Sequence, residues 1–516
     1  MSVDVGDRAG TREWLGLAVL LLPTALLFLA MTVLFLATPH IAADLRPTSD
    51  QLLWVNDVYG FVMAGLLVAM GTVGDRIGRR RVLVFGAVAF GLASVGAALA
   101  PNVELLIAAR AVMGIGAAAV MPSTLSLVST MFRDARQRAT AIGLWAASVS
   151  VGVAVGPLVG GLLLESFWWG AALLIGVPVM ALVVVVAPMS VPEYRAPGAG
   201  LPDVPSVLLS MAALLPFVYG IKDFSKSGLT VTSVVAVVVG VAFGVLFARR
   251  QLRLDSPLLD VRLFANRTFS GALGVFLLSA IALGGIYLLF TQYLQLVAGL
   301  SPLAAGLWIL PAALALVAVS TLSPIIARRV RPAYVVAGGA VFSVAGYVVL
   351  TQVGSVGGLP LLITGFYLLY PGIAPTMALT TTLVITAAPP EKAGAASAVN
   401  STASDLGVSL GIALMGSIGT AVYHATMPSD VPAEAADSLP GALSAAAGLS
   451  ADAARALVEP ARAAFTSGLN VAAVVAAVLV AGAALLAVTV LRTVPATAAP
   501  AEEEAPAERE GTAAAF

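Results

Sequence analysis

The stretch Gly74-Asp75-Arg76-Ile77-Gly78-Arg79-Arg80-Arg81 lies between two long apolar runs. The two glycines permit a tight reversal, and Arg79 to Arg81 are expected to face water and lipid headgroups. Asp75 can pair with a basic residue or lie at a helix N-terminus. The stretch therefore predicts a short basic loop between two membrane-spanning helices. A simple positively charged anchor is the plainer alternative.

The composition indicates a membrane protein. Of 516 residues, 59% are hydrophobic and 10% are charged, whereas about a quarter of the residues of soluble domains carry charge. Mean hydropathy is +1.00. The apolar runs are continuous and have about the 20 residues that cross a bilayer as a helix, while barrel strands would alternate in polarity. The net charge of zero indicates no nucleic-acid partner, and the lack of cysteine excludes thiol catalysis and disulfides.

Fourteen apolar runs predict an all-α polytopic membrane protein. Six form a first bundle over 15–188, two form an inserted hairpin within 189–268, and six form a second bundle over 269–491. The loop 424–467 is interpreted as a spacer or cap, with a partner-docking site as the alternative. The tail 493–516 is predicted to be disordered. The predicted helices are Leu15–Ala37, Leu52–Val73, Val82–Ala100, Leu105–Val128, Ala139–Leu164, Trp169–Pro188, Val204–Ile221, Leu229–Ala248, Phe269–Leu296, Pro302–Ile326, Ala333–Val353, Leu361–Val384, Ala395–Val422 and Phe465–Leu491.

The distribution of lysine and arginine predicts the orientation. With fourteen crossings, 21 of the 27 basic residues fall on the side that carries both termini. Five fall on the other side, and Arg110 lies within a helix. Because basic loops remain in the cytoplasm, both termini are predicted to be cytoplasmic.

An internal repeat relates the two bundles. Residues 151–156 of the fifth helix match residues 406–411 of the thirteenth in character at each position. The basic loops lie at similar distances upstream of the two segments. Two related six-helix bundles with a substrate path between them form a known transporter architecture. Chance similarity in a chain rich in Ala, Val and Gly is the alternative.

The fifth predicted helix carries Gly152, Gly156 and Gly160 at a spacing of four, together with Pro157 and Gly161. Small residues at this spacing let another helix approach closely, and proline frees a carbonyl group and bends the helix. Ordinary membrane packing is the alternative explanation.

These segments resemble the major facilitator superfamily. The basic loop is similar to the superfamily's cytoplasmic signature between helices 2 and 3, and the fifth helix is similar to its antiporter motif, found chiefly in drug and antibiotic exporters. Further resemblance lies in 52–59, 109–116 and 301–306. Over residues 15–491 the chain is most similar to the fourteen-helix drug:proton antiporters of the QacA and SmvA type.

The resemblance implies the major facilitator fold, with two six-helix bundles and an extra two-helix hairpin. It also implies that the basic loop belongs to a conformational gate that exchanges two states of the transporter. The gate residues are Gly74, Asp75, Arg76, Gly78, Arg79 and Arg80.

Three charged residues lie clearly within predicted helices, namely Asp57, Arg110 and Asp405. Each charge in the bilayer costs roughly 2.5 to 3.5 kcal/mol on insertion scales, so function is expected. Asp57 and Arg110 lie at similar depth and are candidates for a pair. That pair is either structural alone or lets Arg110 modulate a neighbouring carboxylate.

Asp405 lies about ten residues into the thirteenth helix, which at about 1.5 Å per residue is near mid-membrane. Asn400, Ser401 and Ser404 form a polar stripe beside it, so this helix is predicted to face a central cavity. A carboxylate there can exchange a proton, or a cationic substrate, between the two sides. A hydrogen-bonded structural acid is the alternative.

The chain also departs from its resemblance. Relatives of this type commonly carry acids where this chain has Ala30, the apolar stretch after Pro311, Asn400 and Ser401. The resemblance therefore implies a neutral or singly charged amphiphile rather than a substrate with several positive charges.

Further cavity candidates are aromatic or amide residues, each of which interfacial anchoring explains equally well. His40 and His424 form no metal constellation, and no phosphate-binding loop indicates ATP hydrolysis. The cavity candidates in this group are Tyr59, Gln292, Tyr293 and Tyr370, followed by Trp54, Phe61, Tyr287, Gln295 and Tyr367.

The combined prediction is proton-coupled efflux of amphipathic drugs or antibiotics across the cytoplasmic (inner) membrane. The protein is expected to act as a monomer, with no catalytic or metal site and no cofactor besides the proton gradient. The alternatives are a dedicated exporter of one natural product or metabolite and a proton-independent facilitator. A membrane enzyme would need a cluster of His, Asp or Ser at one membrane face, which the sequence does not provide.

Overall fold

A computed structural model describes residues 9–132, 134–195, 203–227, 230–254, 257, 261–388 and 393–496. These residues form α-helices and short helical turns, and no strand occurs among them. The predicted disordered tail lies, from residue 497 onward, outside the described residues. The helices are Thr11–Leu45 (α1), Ser49–Ile77 (α2), Arg79–Ala98 (α3), Val103–Met131 (α4), Ala135–Ser166 (α5), Trp169–Leu174 (α6), Gly176–Ser190 (α7), Val204–Ser227 (α8), Val231–Arg253 (α9), Arg267–Gln292 (α10), Pro302–Ile326 (α11), Pro332–Leu350 (α12), Leu359–Gly372 (α13), Ala374–Thr386 (α14), Ala393–Thr426 (α15), Ala433–Asp437 (α16), Leu439–Ala446 (α17) and Ala451–Val490 (α18).

Twelve helical segments within the described part of the chain are long and apolar enough to cross a membrane. A thirteenth is α2, which bends by 52° between Leu67 and Ala69. Within α8, the apolar segment Val204–Gly220 is shorter than a full span. The all-helical membrane architecture is thus confirmed, whereas the predicted count of fourteen crossings is not.

Two predicted helices each break into two. The sixth breaks at Ile175 between α6 and α7, and the twelfth breaks at Ile373 between α13 and α14. Pro178 follows the first break, and Pro371 and Pro375 flank the second. Proline lacks the N–H that would continue the helical hydrogen bonds, which explains both breaks. Each pair of helices still forms one candidate membrane span, Trp169–Ser190 and Leu359–Thr386.

The last helix, α18, begins at Ala451 rather than at the predicted Phe465. Its first turns bury Leu457, Ala461 and Ala464 on one face, so packing extends the helix beyond the strongly apolar run. The predicted loop 424–467 is corrected to residues 427–450, which contain α16 and α17.

The helices pack as two bundles. Helices α1 to α7 contact one another in the first bundle, and α10 to α15 contact one another and α18 in the second. The two bundles meet along a seam at which α5 packs on α11 and α2 packs on α15. Helix α8 packs against both α2 and α15, where Phe61, Val218 and Ala413 are fully buried together.

The α8–α9 hairpin is closed by an ion pair. Arg250 donates hydrogen bonds of 2.7 and 3.0 Å to the two carboxylate oxygens of Asp203. These bonds hold the pKa of the Asp203 carboxyl below its usual range. Gln251 and Ser206 bond beside them at 2.6 Å, so a polar cluster fixes the register of the hairpin.

The helix directions define two ends of the molecule. The basic face is the end that carries Arg79, Arg331 and Arg492, and Arg331 donates a hydrogen bond of 3.2 Å to the carbonyl oxygen of Arg492 there. The opposite face carries the start of α2 at Ser49 and the loop 427–450.

Candidate functional site

Helices α2 and α15 approach each other closely at the seam. A Cβ atom on Gly60 of α2 would lie 2.0 Å from the hydroxyl oxygen of Ser409 on α15. On the other side of α2, a Cβ atom on Gly114 of α4 would lie 2.7 Å from the carbonyl oxygen of Tyr59. A Cβ atom at either position would force a neighbouring atom to shift, so the two glycines permit the close packing on both sides of α2 around Tyr59.

A buried charge cluster lies at this point of the seam. Asp57 and Arg110 are both fully buried, and their charges interact electrostatically. The guanidinium carbon of Arg110 lies 4.6 Å from the centre of the Tyr59 ring, in cation–π geometry. Nε of Arg110 also donates a hydrogen bond of 3.3 Å to the carbonyl oxygen of Val55. The structure thus brings the predicted pair together and adds an aromatic ring to it.

Asp405 of the second bundle faces this cluster. It is 7% exposed and, with Tyr59, lines a cavity of about 10 Å³, the space of about one water molecule. Among the described residues, neither Oδ2 of Asp405 nor the hydroxyl of Tyr59 has a hydrogen-bond partner. A carboxylate at such a place needs a counter-charge, a proton or a cationic ligand. The other lining residues are Leu27, Phe28, Met31, Gly60 and Met63.

One residue of the polar stripe beside Asp405 forms a hydrogen bond to a neighbouring helix. Asn400 is buried, and its amide donates a hydrogen bond of 3.1 Å to the hydroxyl of Thr381 on α14. Ser401 and Ser404 are half-buried on the same helix as Asp405. One turn beyond Asp405, Ser409 is buried at the seam, a position that the sequence analysis did not single out. Its spacing of four from Asp405 is the signal that could have found it.

The remaining cavity candidates lie elsewhere. Gln292 lines a separate cavity near the opposite face. The hydroxyl of Tyr293 donates a hydrogen bond of 2.5 Å to the carbonyl oxygen of Gly354, which ties it to a loop. Tyr370 stacks on Phe366, with the ring centres 4.8 Å apart. These three side chains therefore do not share the Asp405 cavity.

An aromatic contact joins the bundles near the opposite face. The rings of Phe35 on α1 and Tyr287 on α10 meet edge-to-face, with their centres 5.4 Å apart. Tyr287 continues into the stack with Tyr370, at 6.0 Å between ring centres. Sequence reasoning considered Tyr287 but not Phe35.

The predicted gate loop is held by an ion pair between a half-buried acid and a buried arginine. Asp75 accepts hydrogen bonds from Arg79, with atoms 2.6 and 2.8 Å apart. Arg79 is consequently only 8% exposed, so the expectation that it faces water was wrong. Arg76 and Arg81 are exposed, and Gly74 is buried against the Arg79 side chain.

The gate loop also binds a segment that the sequence analysis missed. Glu193, just after α7, accepts a hydrogen bond of 3.0 Å from the backbone N–H of Arg80. The backbone N–H of Arg79 donates to the carbonyl oxygen of Tyr194 at 2.9 Å. Gly78 lies against Glu193 with φ of 120°, a backbone conformation that favours glycine. The loop therefore links α2, α3 and the segment after α7.

Replacing Gly78 by alanine is expected to destabilise the protein by about 1 to 3 kcal/mol. A Cβ atom there would lie 2.5 Å from Oε1 of Glu193, and the positive φ would be strained. Thermal unfolding in detergent measures the effect. The matched control is Gly482→Ala, since a Cβ atom on Gly482 meets nothing within 4 Å. Equal melting temperatures for the two variants would contradict the assignment.

The glycines of α5 divide between two partners. A Cβ atom on Gly152 would lie 2.2 Å from the carbonyl oxygen of Ala25, and one on Gly156 would lie 1.9 Å from the hydroxyl of Thr32. Gly160 lies beside Val33, so all three face α1 within the first bundle.

Gly161 faces the other way, across the seam. Its Cβ atom would lie 2.7 Å from Cα of Leu303 at the start of α11. A Cβ atom on Gly306 of α11 would in turn lie 2.3 Å from the carbonyl oxygen of Pro157. The motif therefore packs α5 on α1 and on the second bundle at once.

Two helical bundles with buried charges at their seam, in a chain whose helices can cross a membrane, define a polytopic membrane transporter. The chain belongs to the Major Facilitator Superfamily, whose family model matches residues 20–412.

Curated relatives match nearly the whole chain. It is 42% identical over 485 residues to the multidrug efflux pump LfrA of Mycolicibacterium smegmatis, covering 92% of this chain and 96% of that protein. It is 35% identical to the methyl viologen resistance protein SmvA of Salmonella typhimurium, covering 89% and 94%. It is 34% identical to the puromycin resistance protein pur8 of Streptomyces alboniger, covering 81% and 85%. The resemblance to multidrug efflux pumps is thereby confirmed.

Solved structures share the fold. A bacterial homologue of the human lysosomal transporter Spinster, crystallised in an inward-facing and unoccupied conformation, superposes with a TM-score of 0.66. The match covers 94% of this chain and 98% of that one, at 18% sequence identity. At this identity the likeness shows the fold alone.

Proposed function

We propose that the protein exports neutral or singly charged amphipathic compounds across the cytoplasmic membrane, driven by inward proton movement. The observation that carries the proposal is the position of Asp405, a buried acid at the seam that shares a cavity with Tyr59. Its relatives named as multidrug efflux and drug resistance proteins support the substrate class.

The proposal includes the orientation and the domains. We take the basic face as cytoplasmic, because 21 of 27 basic residues would lie there. Helices α8 and α9 would complete fourteen crossings as an inserted hairpin between bundles 15–188 and 269–491. The protein is expected to function as a monomer. The proton gradient is the proposed energy source, and no cofactor is proposed.

In this orientation the structure corresponds to a state closed to the outside. The bundles touch at the opposite face through Gly161 and Leu303, and through Leu53 and Gly416. Rocking of the bundles about the charge cluster would open that face and close the basic face, as in other transporters built from repeats.

Asp405 would bind either a proton or the substrate. With the seam open to the outside, it takes up a proton there and releases its substrate. With the seam open to the cytoplasm, it loses the proton and binds the next molecule. Tyr59 faces Asp405 from the first bundle and lies against Arg110, so Tyr59 links the acid of the second bundle to the buried charges of the first. Met31 and Met63 provide adaptable apolar walls for varied compounds.

The test is export by everted vesicles from a host lacking its own pumps. A panel of neutral and monocationic dyes is offered, and each is followed with and without an uncoupler. We expect energy-dependent uptake of several dyes that collapses when the uncoupler is added. Uptake that ignores the uncoupler would identify a facilitator. Transport of one natural product alone would identify a dedicated exporter, which the missing acids at Ala30 and Asn400 favour.

A further inference from the structure

The loop 427–450 of the second bundle reaches across the seam to the first bundle. The backbone N–H of Ser49, at the start of α2, donates a hydrogen bond of 2.9 Å to the Asp437 carboxylate. The hydroxyl of Ser49 donates to the carbonyl oxygen of Asp437 at 2.6 Å and lies 3.1 Å from its carboxylate. The two residues are 388 positions apart in the chain.

This contact is a helix cap supplied by the other bundle. Thr48 and Gln51 form a capping box at the start of α2, in which the side chain of each accepts a hydrogen bond from the backbone N–H of the other. The N–H of Ser49 is one of the first donors of α2, which have no partner within the helix. A carboxylate at a helix N-terminus is stabilised further by the helix dipole. Asp437 thus binds α2 through a charge-assisted bond.

Asp437 is fixed to the second bundle. The ring nitrogen of His424, at the end of α15, lies 3.1 Å from the Asp437 carbonyl oxygen and 3.8 Å from its carboxylate. The hydroxyl of Tyr423 donates to the carbonyl oxygen of Ala435 at 2.8 Å. Leu439, just after Asp437, is almost fully buried. The segment around Asp437 is therefore tied to the end of α15.

Beneath the contact the seam is incompletely filled. A cavity of about 60 Å³ lies there, bounded by Ser49 and Asp437 at the opposite face. Asn56 of α2 lines it from the first bundle, and Gln292 and Thr420 line it from the second. Apolar packing does not seal this part of the seam by itself, so the polar contact above it contributes to closure.

We propose that Asp437 is a latch that holds α2 to the second bundle while the opposite face is closed. Opening this face moves the start of α2 away from α15, so the hydrogen bonds to Ser49 must break. The meaning of the latch for export rests on the proposed function, whereas the latch itself is measurable without transport. For this loop, which the sequence analysis interpreted as a spacer or cap or as a docking site, the proposal assigns a contact within the chain.

The test measures the opening of the seam directly. The chain has no cysteine, so Pro101→Cys in the first bundle and Val356→Cys in the second allow two spin labels on an unchanged background. Both positions are exposed loops at the opposite face. Distances are measured by pulsed electron paramagnetic resonance in liposomes. Asp437→Ala is expected to raise the ratio of open to closed molecules about tenfold, because a charge-assisted bond is lost.

The matched control is Asp430→Ala, which removes an exposed acid of the same loop. It is expected to leave the distances unchanged. Ser49→Ala keeps the backbone N–H and should give a smaller shift in the same direction as Asp437→Ala. If Asp437→Ala fails to fold, Asp437→Asn keeps the size and removes the charge, with the same direction expected.

The latch would be overturned if the Asp437 variants gave the same distance distribution as Asp430→Ala. That result would leave the proposed function standing as long as Asp405→Asn abolished proton-coupled export. Conversely, a shifted distribution with uncoupler-insensitive export would support the latch and refute the proton coupling.

Discussion

Asp405→Asn is expected to reduce uncoupler-sensitive export to the level of vesicles without the protein. Asparagine has nearly the same shape, so packing beside Tyr59 at the seam is preserved. It cannot gain or lose a proton, and it carries no charge for a cationic substrate. Dye uptake by everted vesicles at matched protein levels measures the effect.

The control for Asp405→Asn is Asp430→Asn, an acid of the exposed loop at the opposite face. Its export should equal that of the wild type. The amount of each variant in the membrane is determined by immunoblotting, so that loss of insertion is recognised. Proton-coupled export that persisted in Asp405→Asn would remove this residue from the mechanism.

Gly161→Ala is expected to lower export by about tenfold or more, since overpacking costs about 1 to 3 kcal/mol. The added Cβ atom would lie 2.7 Å from Cα of Leu303 and from the carbonyl oxygen of Pro302. Backbone atoms cannot move aside as a flexible side chain does, so α5 and α11 must separate. The closed state at the opposite face should be lost.

Gly143→Ala is the matched control on the same helix, because a Cβ atom there meets nothing within 4 Å. Alanine is also the better helix former, so this variant should export normally. The spin-label pair that reports on the latch should show an open seam in Gly161→Ala only. Normal export and a closed seam in Gly161→Ala would show that the glycine does not set the contact.

The fold class could be predicted because apolar runs of membrane length are a local signal. The ends of the helices could not be predicted in this way, because they depend on packing against other helices and on where prolines interrupt the helical hydrogen bonds. The first turns of α18 are too polar on average to read as a span, but they bury Leu457 and Ala461. The break at Ile373 depends on how Pro371 and Pro375 act together.

The charged parts of the candidate site could be found from sequence for the same reason. A charge within an apolar run is conspicuous, and equal depth suggested that Asp57 and Arg110 lie together. The partners across the seam could not be found. Tyr59 and Asp405 are far apart in the chain and belong to different bundles, so only the packing of α2 on α15 brings them together.

The gate loop shows the same limit. Its glycines and arginines could be located from the sequence, and pairing was one of two roles expected for Asp75. Nothing local indicated that Arg79 would be buried, or that Glu193, 113 positions beyond Arg80, would bind the loop. Contacts between residues so far apart in the chain leave no periodic pattern in the sequence from which they could be predicted.

The most direct test of proton-coupled export through Asp405 is a measurement of internal pH in proteoliposomes when a transported dye is added. We expect the wild type to move protons in the direction opposite to the dye, so that the internal pH changes when the dye is added. In Asp405→Asn we expect no such change. Dye transport by the wild type without any change in pH would contradict the proposed mechanism.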